Sequence, residues 1–472
     1  MASPRTQPRP PARSTSSDGR AQAAAVKAAR RAQGAGGGRT IRVGLIGWGT
    51  IGSGVIRILR DRRAELDARL GAPLRLVRVC DLDLDRKREV SVPRSMLTRR
   101  AADVLGDPSI DVVVELMGGT GAARTFVQDA IAAGKAVVTA NKALLAKHGA
   151  EIFAAAERAG VGLQFEASVG GGIPIIRTLR EALAGDRNTA VFGIVNGTSN
   201  YILSTMSAEG RSFADVLKDA QRAGLAEADP TYDVDGIDAA HKLTLLVQLA
   251  FGARLPLESV HTEGIREVDA TDMAYARELG YAIKLLAIAK DHGDAIEARV
   301  HPTMIPIDDP LAGVGGAFNA VCVHGDDLGR TMYQGQGAGM MPTATAVVAD
   351  VLDVARDRLR GGPRLAPLGY AVATQRSARV RPIGQVKSEF YLRVAARDEP
   401  GVLGRIATLL GRAGVSIASI VQRERRADGP VPIVIRTHEV EEKSLRRALA
   451  GVAALPTVAG KPVAIRVEES PG

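Results

Sequence analysis

Residues 40–52 read TIRVGLIGWGTIG, a short apolar strand that runs into three glycines at the G-x-G-x-x-G spacing. A helical run follows, with Ile51, Val55, Leu59 and Leu66 as its apolar positions. Between a strand and a helix, the turn formed by Gly47, Gly49, Thr50, Ile51 and Gly52 offers amides and a helix N-terminus to a pyrophosphate. A second strand, 74–79, ends at Asp81, and an acid there suits the ribose hydroxyls of NAD. Arg86, Lys87 and Arg88 just beyond suit the 2′-phosphate of NADP, so both cofactors stay open. The alternation continues with a strand at 111–118, a helix from about 122 to 133, a strand at 135–140, a helix from about 142 to 159 and a strand at 161–167. Strands alternating with helices at this spacing predict an α/β, doubly wound parallel sheet of the Rossmann type over residues 40–165.

The rest of the chain departs from that rhythm. From about residue 166 to 334 the pattern is mixed, which predicts a separate α+β domain for substrate binding, catalysis and dimerisation. A glycine-rich element, Gly335-Gln336-Gly337-Ala338-Gly339, precedes a helical run at about 343–358 and returns the chain to the first domain over 335–361. Its glycines are either a plain loop or a place where backbone, Gly339 included, approaches the cofactor from the far side. Residues 362–387 are rich in Gly, Pro and Arg and read as a linker. Beyond it, 388–469 gives a β-α-β-β-α-β order, the ferredoxin-like arrangement.

A chain of 472 residues with 46% apolar content supports about three well-buried domains. Aromatic residues are only 3%, as suits sheets of Val, Leu, Ile and Ala covered by helices. No apolar run approaches the roughly 20 residues of a membrane span. The formal charge is +10, but residues 1–39 hold seven Arg and one Lys against the single acid Asp18, so most of that charge sits in the tail. The tail reads as a disordered basic segment, with an organelle transit peptide as the alternative. The remainder shows no basic cluster interleaved with aromatics, which argues against a nucleic-acid partner. Cys80 and Cys322 fit no disulfide or metal spacing, and a reducing cytoplasm is the expected compartment.

Chemistry concentrates in a few places. Residues 224–242 (GLAEADPTYDVDGIDAAHK) string acids through a loop into a helix start, where Asp238 and Lys242 share one face. That pair is either a solvated ion pair or, with Glu227 brought in by the loop, a polar substrate site beside a proton donor. An EF-hand reading fails, because Thr231 would stand at the loop's first position and Lys242 at its twelfth. Lys142, in Thr139-Ala140-Asn141-Lys142, lies at the carboxyl end of a parallel strand, the edge where such sheets bind ligands, and is either a solvated helix-start lysine or an ammonium that orients a carbonyl beside a nicotinamide. Phe165 to Pro174 joins Glu166 to a glycine turn whose carbonyls either suit a hard cation or merely pack tightly. Asn196-Gly197-Thr198-Ser199-Asn200 either contacts substrate or caps a helix.

In this order, GWGTIG, VVELMGG, TANKALLAKHG, FEASVGGGIPII, NGTSNYIL, GLAEADPTYDVDGIDAAHK and GQGAGMMPT closely resemble the homoserine dehydrogenase family across about residues 41–350. The last module, with Asp398-x-Pro400-Gly401-Val402-Leu403 ahead of a helix, looks like an ACT domain, and the expected form is the one without a fused kinase. The resemblance implies reversible NAD(P)H reduction of L-aspartate 4-semialdehyde to L-homoserine, towards threonine and methionine. It implies Lys242 as proton donor, Lys142 against substrate and nicotinamide, Glu227 and Asp238 at the amino-acid end of the substrate, and Gly224 at the cofactor. Glu166 with the main-chain carbonyls of Val169, Gly171 and Ile173 would hold the family's sodium ion. An ACT module implies an amino-acid effector, with threonine the first expectation, at Asp398 to Val402 and Val415 to Ile420. Its sheet edges suggest a homodimer or homotetramer. Cys80 stands where NADP-selective relatives often carry a basic residue. Two other readings compete: a different Rossmann oxidoreductase such as an aspartate dehydrogenase, and a non-catalytic amino-acid and redox sensor.

Overall fold

The computed structural model describes residues 39–423 and 429–469. The basic tail thus lies outside the described residues apart from Arg39, whose guanidinium pairs with Asp111 at 2.6 Å.

Six parallel strands, β1 (Ile41–Ile46), β2 (Leu74–Cys80), β3 (Leu97–Thr98), β4 (Val112–Glu115), β5 (Ala136–Thr139) and β6 (Leu163–Gln164), form one sheet in the order 3-2-1-4-5-6. This is the doubly wound Rossmann arrangement, with its ligand crevice at the carboxyl ends of β1 and β4. The strand expected over 161–167 is shorter, because Glu166 to Ser168 turns into a 3-10 segment. The first helix also ends sooner than its apolar period suggests: Thr50–Asp61 stops at Arg62, with φ −107° and ψ 22°, and Arg63–Leu70 is a separate helix. Helix Met340–Arg360, longer at both ends than its pattern predicts, returns to this sheet and packs on Thr50–Asp61. Gly54 makes that approach close, since a Cβ there would meet Ala344 Cβ at 2.8 Å.

Among the described residues, a mixed sheet of eleven strands and a two-stranded parallel sheet, Ala253–Arg254 with Arg376–Ser377, make up the rest. The catalytic half of the mixed sheet runs Gly329–Gln336, Phe318–Gly325, β7 (Asn188–Ile194), Tyr281–Asp291 and Ile296–Pro306. The ferredoxin-like half continues it with Val463–Val467, Lys387–Arg397, Pro430–Thr437 and Ile417–Val421. The join is parallel, pairing Thr303 with Arg466 and Met304 with Val467. Glu468 closes it, its amide donating to Met304 O at 2.9 Å and its carboxylate accepting from Lys290 at 2.8 Å and from Arg299. Helix Ile237–Phe251 is buried along nearly its whole length beneath the catalytic half. The stretch 362–387 packs on this body: Leu368 is fully buried, and Arg376 and Arg381 pair with Asp291 and Glu297 at 2.6 and 3.0 Å.

The Gly335–Gly339 element meets the turn at Gly170–Gly172, where Gly172 N donates to Gln336 O at 3.0 Å. A Cβ on Gly337 would sit 2.1 Å from Asn319 Cγ, whereas one on Gly335 meets only Ile173 Cγ1 at 3.1 Å. Gly337→Ala is therefore expected to cost about 1–3 kcal/mol by overpacking, read as a lower urea midpoint, with Gly335→Ala costing clearly less.

Candidate active site

Three segments meet at the carboxyl edge of the parallel sheet. Helix Lys142–Ala159 follows β5 and is capped by Asn141, whose side chain accepts from Leu144 N at 3.1 Å. Glu115, at the end of β4, fixes that start: it accepts from Thr139 Oγ1 at 2.6 Å and Met117 N at 2.9 Å. Burial drives its pKa up, against those donors. Helix Gly197–Glu209 follows β7 and is capped by Asn196, which accepts from Ser199 N at 2.8 Å. Helix Ile237–Phe251 starts at Gly236 and carries Asp238 and Lys242.

The centre is the Asp238 carboxylate. Lys242 Nζ donates to Asp238 Oδ2 at 2.6 Å and to Val195 O at 2.6 Å, leaving one of its three protons unassigned among the described residues. Lys142 Nζ lies 3.2 Å from Asp238 Oδ1. Asn196 Nδ2 donates to Asp238 Oδ2 at 2.9 Å and to Asp233 Oδ1 at 2.8 Å, so the residue caps its helix and builds the cluster at once. Tyr232 places its ring 5.8 Å from Lys142 Nζ and its hydroxyl 3.0 Å from His241 Nδ1. Burial alone would raise the Asp238 pKa, but the charges of Lys242 and Lys142 override it and hold the group at about 2. Burial pushes the Lys242 pKa below its ordinary 10.5, more strongly than Asp238 pulls it up. The arrangement is an anionic anchor holding two cationic donors beside a dinucleotide crevice.

The glycine turn fits a dinucleotide. Gly47 and Gly52 are required by the protein itself, since a Cβ on either would lie 2.5 Å from Leu116 C or 2.2 Å from Gly47 O. Gly49 is not: its φ is −82° and nothing lies within 4 Å of its Cβ position. Open space there, beside the orphan amides of Thr50, Ile51 and the rest of the first turn, is the room a pyrophosphate takes. Asp81 braces the turn, accepting from Trp48 N at 2.6 Å, and Arg88 lies 3.3 Å from its other oxygen and 4.3 Å above the Trp48 ring.

Other expected site residues sit elsewhere or do something else. Glu227 is exposed in its loop, without a hydrogen bond or ion pair from its carboxylate to the described residues, so the structure does not bring it to Asp238 and Lys242. Gly224 is an exposed glycine with φ +70° just past helix Phe213–Arg222, and Gly339 is the N-cap of Met340–Arg360 with φ +122°. Glu166 is buried, and both carboxylate oxygens accept amides, from Ile176 at 2.8 Å and Arg177 at 2.9 Å. Ile173 O accepts from Ile175 N at 2.8 Å. The carbonyls of Val169 and Gly171, both in buried residues, accept no hydrogen bond from the described residues. Sequence reading missed Glu115, Tyr232 and Asp233 as builders of the site. An acid ending the apolar run VVVE was the available signal for Glu115; Asp233 and Tyr232 were hidden in the loop.

A nicotinamide-dependent oxidoreductase is the class that this fold and site define. Family models agree in detail: residues 47–166 match the homoserine dehydrogenase NAD-binding domain, 174–352 the homoserine dehydrogenase domain, and 390–456 the ACT domain. The chain is 46% identical over 434 residues to a homoserine dehydrogenase of Neisseria gonorrhoeae, covering 91% of this chain and 99% of that one. A solved homoserine dehydrogenase from Thiobacillus denitrificans superposes with a TM-score of 0.87 at 48% identity, covering 92% of this chain and 99% of that one. A hyperthermophilic archaeal homoserine dehydrogenase in complex with NADPH matches at TM-score 0.56 and 26% identity, over 67% of this chain and 98% of that one. The chain belongs to the homoserine dehydrogenase family.

Because the protein's own packing leaves Gly49 unconstrained, Gly49→Ala is expected to change stability by no more than about 0.5 kcal/mol while raising the KM for the nicotinamide cofactor at least several-fold. Steady-state kinetics beside a melting curve checks both halves.

Proposed function

We propose that this site reduces L-aspartate 4-semialdehyde reversibly to L-homoserine, with Lys242 as the proton donor and Lys142 orienting the carbonyl. The observation that carries this is the pair of ammonium groups held on opposite oxygens of one buried carboxylate. Bound NAD(P)H supplies the hydride to the aldehyde carbon. Negative charge then develops on the carbonyl oxygen, where the two cations stabilise it and the spare proton of Lys242 can be transferred. Asp238 fixes both lysines and, with Glu227 swung in on substrate binding, receives the substrate ammonium. Gly224 and Gly339 line the cofactor's approach. Arg88 offsets the charge of Asp81, which supports use of both NADH and NADPH. The two free carbonyls near Glu166 support a sodium ion held by Val169, Gly171 and Ile173, with Glu166 bracing the turn and adding negative field. Cys80 and Cys322 are both free and buried, which supports a reducing compartment, the cytoplasm. The exposed edge Ile417–Val421 supports homodimer or homotetramer formation, and the ACT module feedback control by an amino acid, threonine first.

The pH profile tests the acid. Lys242 must be protonated to reduce the aldehyde, so that rate falls as pH rises through a pKa lowered from 10.5; homoserine oxidation, which needs the neutral amine, rises over the same window. Asp238→Asn removes a charge that raises this pKa and moves the limb to lower pH. Lys242→Ala is expected to lower kcat by about 10²–10⁴-fold, and unchanged turnover in that variant would end the proposal. Replacing sodium by choline is expected to lower the melting temperature without altering the pH limb, measured by scanning fluorimetry and initial rates.

A further inference from the structure

Away from the crevice, a cavity of about 610 Å³ opens between the catalytic body and the ACT module, a size ordinary for a small-molecule site. Its floor is apolar, built from Val268, Phe390, Leu445, Leu449, Val463 and Ile465. Its wall carries six charged residues, and four of them are satisfied internally. Arg466 donates to Glu442 at 2.5 and 2.8 Å and to Glu263 at 2.8 and 3.0 Å, and Arg446 donates to the same two carboxylates at 2.5 and 3.0 Å. His261, Glu263 and Glu442 cluster closely enough for a metal, but the Arg466 guanidinium already supplies the positive charge there. The other two, Glu267 and Lys461, are exposed and make no hydrogen bond or ion pair with the described residues.

We propose that this cavity binds a free α-amino acid with an apolar side chain, its ammonium on Glu267, its carboxylate on Lys461 and its side chain on the apolar floor. One uncommitted anion, one uncommitted cation and a hydrophobic floor of this size are the complement of that zwitterion. The site is separate from the Asp398–Val402 loop of the ACT module. Its wall also reaches the active site. Glu263, Gly264, Glu267 and Val268 belong to a loop whose Ile265 N donates to Val234 O at 2.8 Å and whose Arg266 grips Asp235 at 2.5 Å. Gly264 is pressed against that segment, where a Cβ would lie only 2.5 Å from Val234 O. Val234 and Asp235 lie between Asp233 and Asp238, so a ligand that moves the 263–268 loop moves the residues around Lys242.

The test is calorimetric titration of the full-length enzyme with L-valine, L-leucine, L-isoleucine, L-methionine and L-phenylalanine, with glycine, L-threonine, isoamylamine and 4-methylpentanoate as comparators. At least one apolar amino acid is expected to bind, at least tenfold tighter than glycine or either singly charged analogue. Glu267→Gln and Lys461→Ala, both surface changes, are each expected to weaken it at least fivefold at unchanged melting temperature. Arg266→Ala is expected to retain binding while losing the ligand's effect on the KM for homoserine. Absence of binding by all five, or affinity unchanged in both Glu267→Gln and Lys461→Ala, would overturn the site. A saturating ligand that leaves the wild-type KM and kcat unchanged would overturn the coupling. Because binding is read directly, failure here is distinguishable from failure of the catalytic proposal, which the Lys242 variants report.

Discussion

One buried carboxylate organises this enzyme's chemistry. Asp238 is 3% exposed, and an isolated carboxylate so placed would take up a proton rather than stay charged. It stays ionised because Lys242 and Lys142 approach it from different elements and Asn196 donates to it as well. The dependence runs both ways. Without Asp238, two ammonium groups would face each other in a low-dielectric site, and breaking such a buried pair typically costs about 3–5 kcal/mol. Lys142 starts the helix that follows β5 of the dinucleotide-binding sheet and Lys242 lies on the helix beneath the mixed sheet, so the carboxylate is also the electrostatic joint between the two domains.

The sequence made one half of that joint readable. Asp238 and Lys242 stand four apart on a helix, and helical geometry alone puts them on one face. The Rossmann strands were readable for a similar reason: each is a local apolar run, and parallel crossovers follow from its alternation with helices. The ferredoxin-like module was readable from the order of its elements. The catalytic half of the mixed sheet was not. There β7 pairs with Tyr281–Asp291 and Phe318–Gly325, partners far along the chain that no local period can announce. The contact of Lys142 with Asp238 is equally non-local.

Polar residues with two duties were harder still. Asn196 was open between capping a helix and building a site, and it does both, because one amide carries an acceptor for Ser199 N and donors for two carboxylates. Glu166 carries a duty that the sequence did not announce. Its position beside a glycine turn suggested a cation ligand; its oxygens also hold the amides of Ile176 and Arg177, which need acceptors at the start of a helical turn, and each oxygen keeps a further lone pair. Glu227 is exposed in its loop, outside the helix whose period places Asp238 and Lys242, so no local spacing fixes where its carboxylate sits.

The way the ACT module is attached constrains how any signal from it can travel. Its last strand is hydrogen-bonded into the edge of the catalytic sheet, and Tyr391 and Arg393 bind the fully buried Asp272 at 3.0 and 2.7 Å. A sheet edge with paired backbone and a buried charge network does not slide by small amounts, since packed interiors are stiff. Movement must therefore pass through the irregular segments that bridge the halves. The 263–268 loop is one of these: its Glu263 accepts from Arg466 of the last strand and its Arg266 donates to Asp235. The rigid sheet fixes the reference frame, and that loop is a short, directly bonded path to the segment beside the lysines.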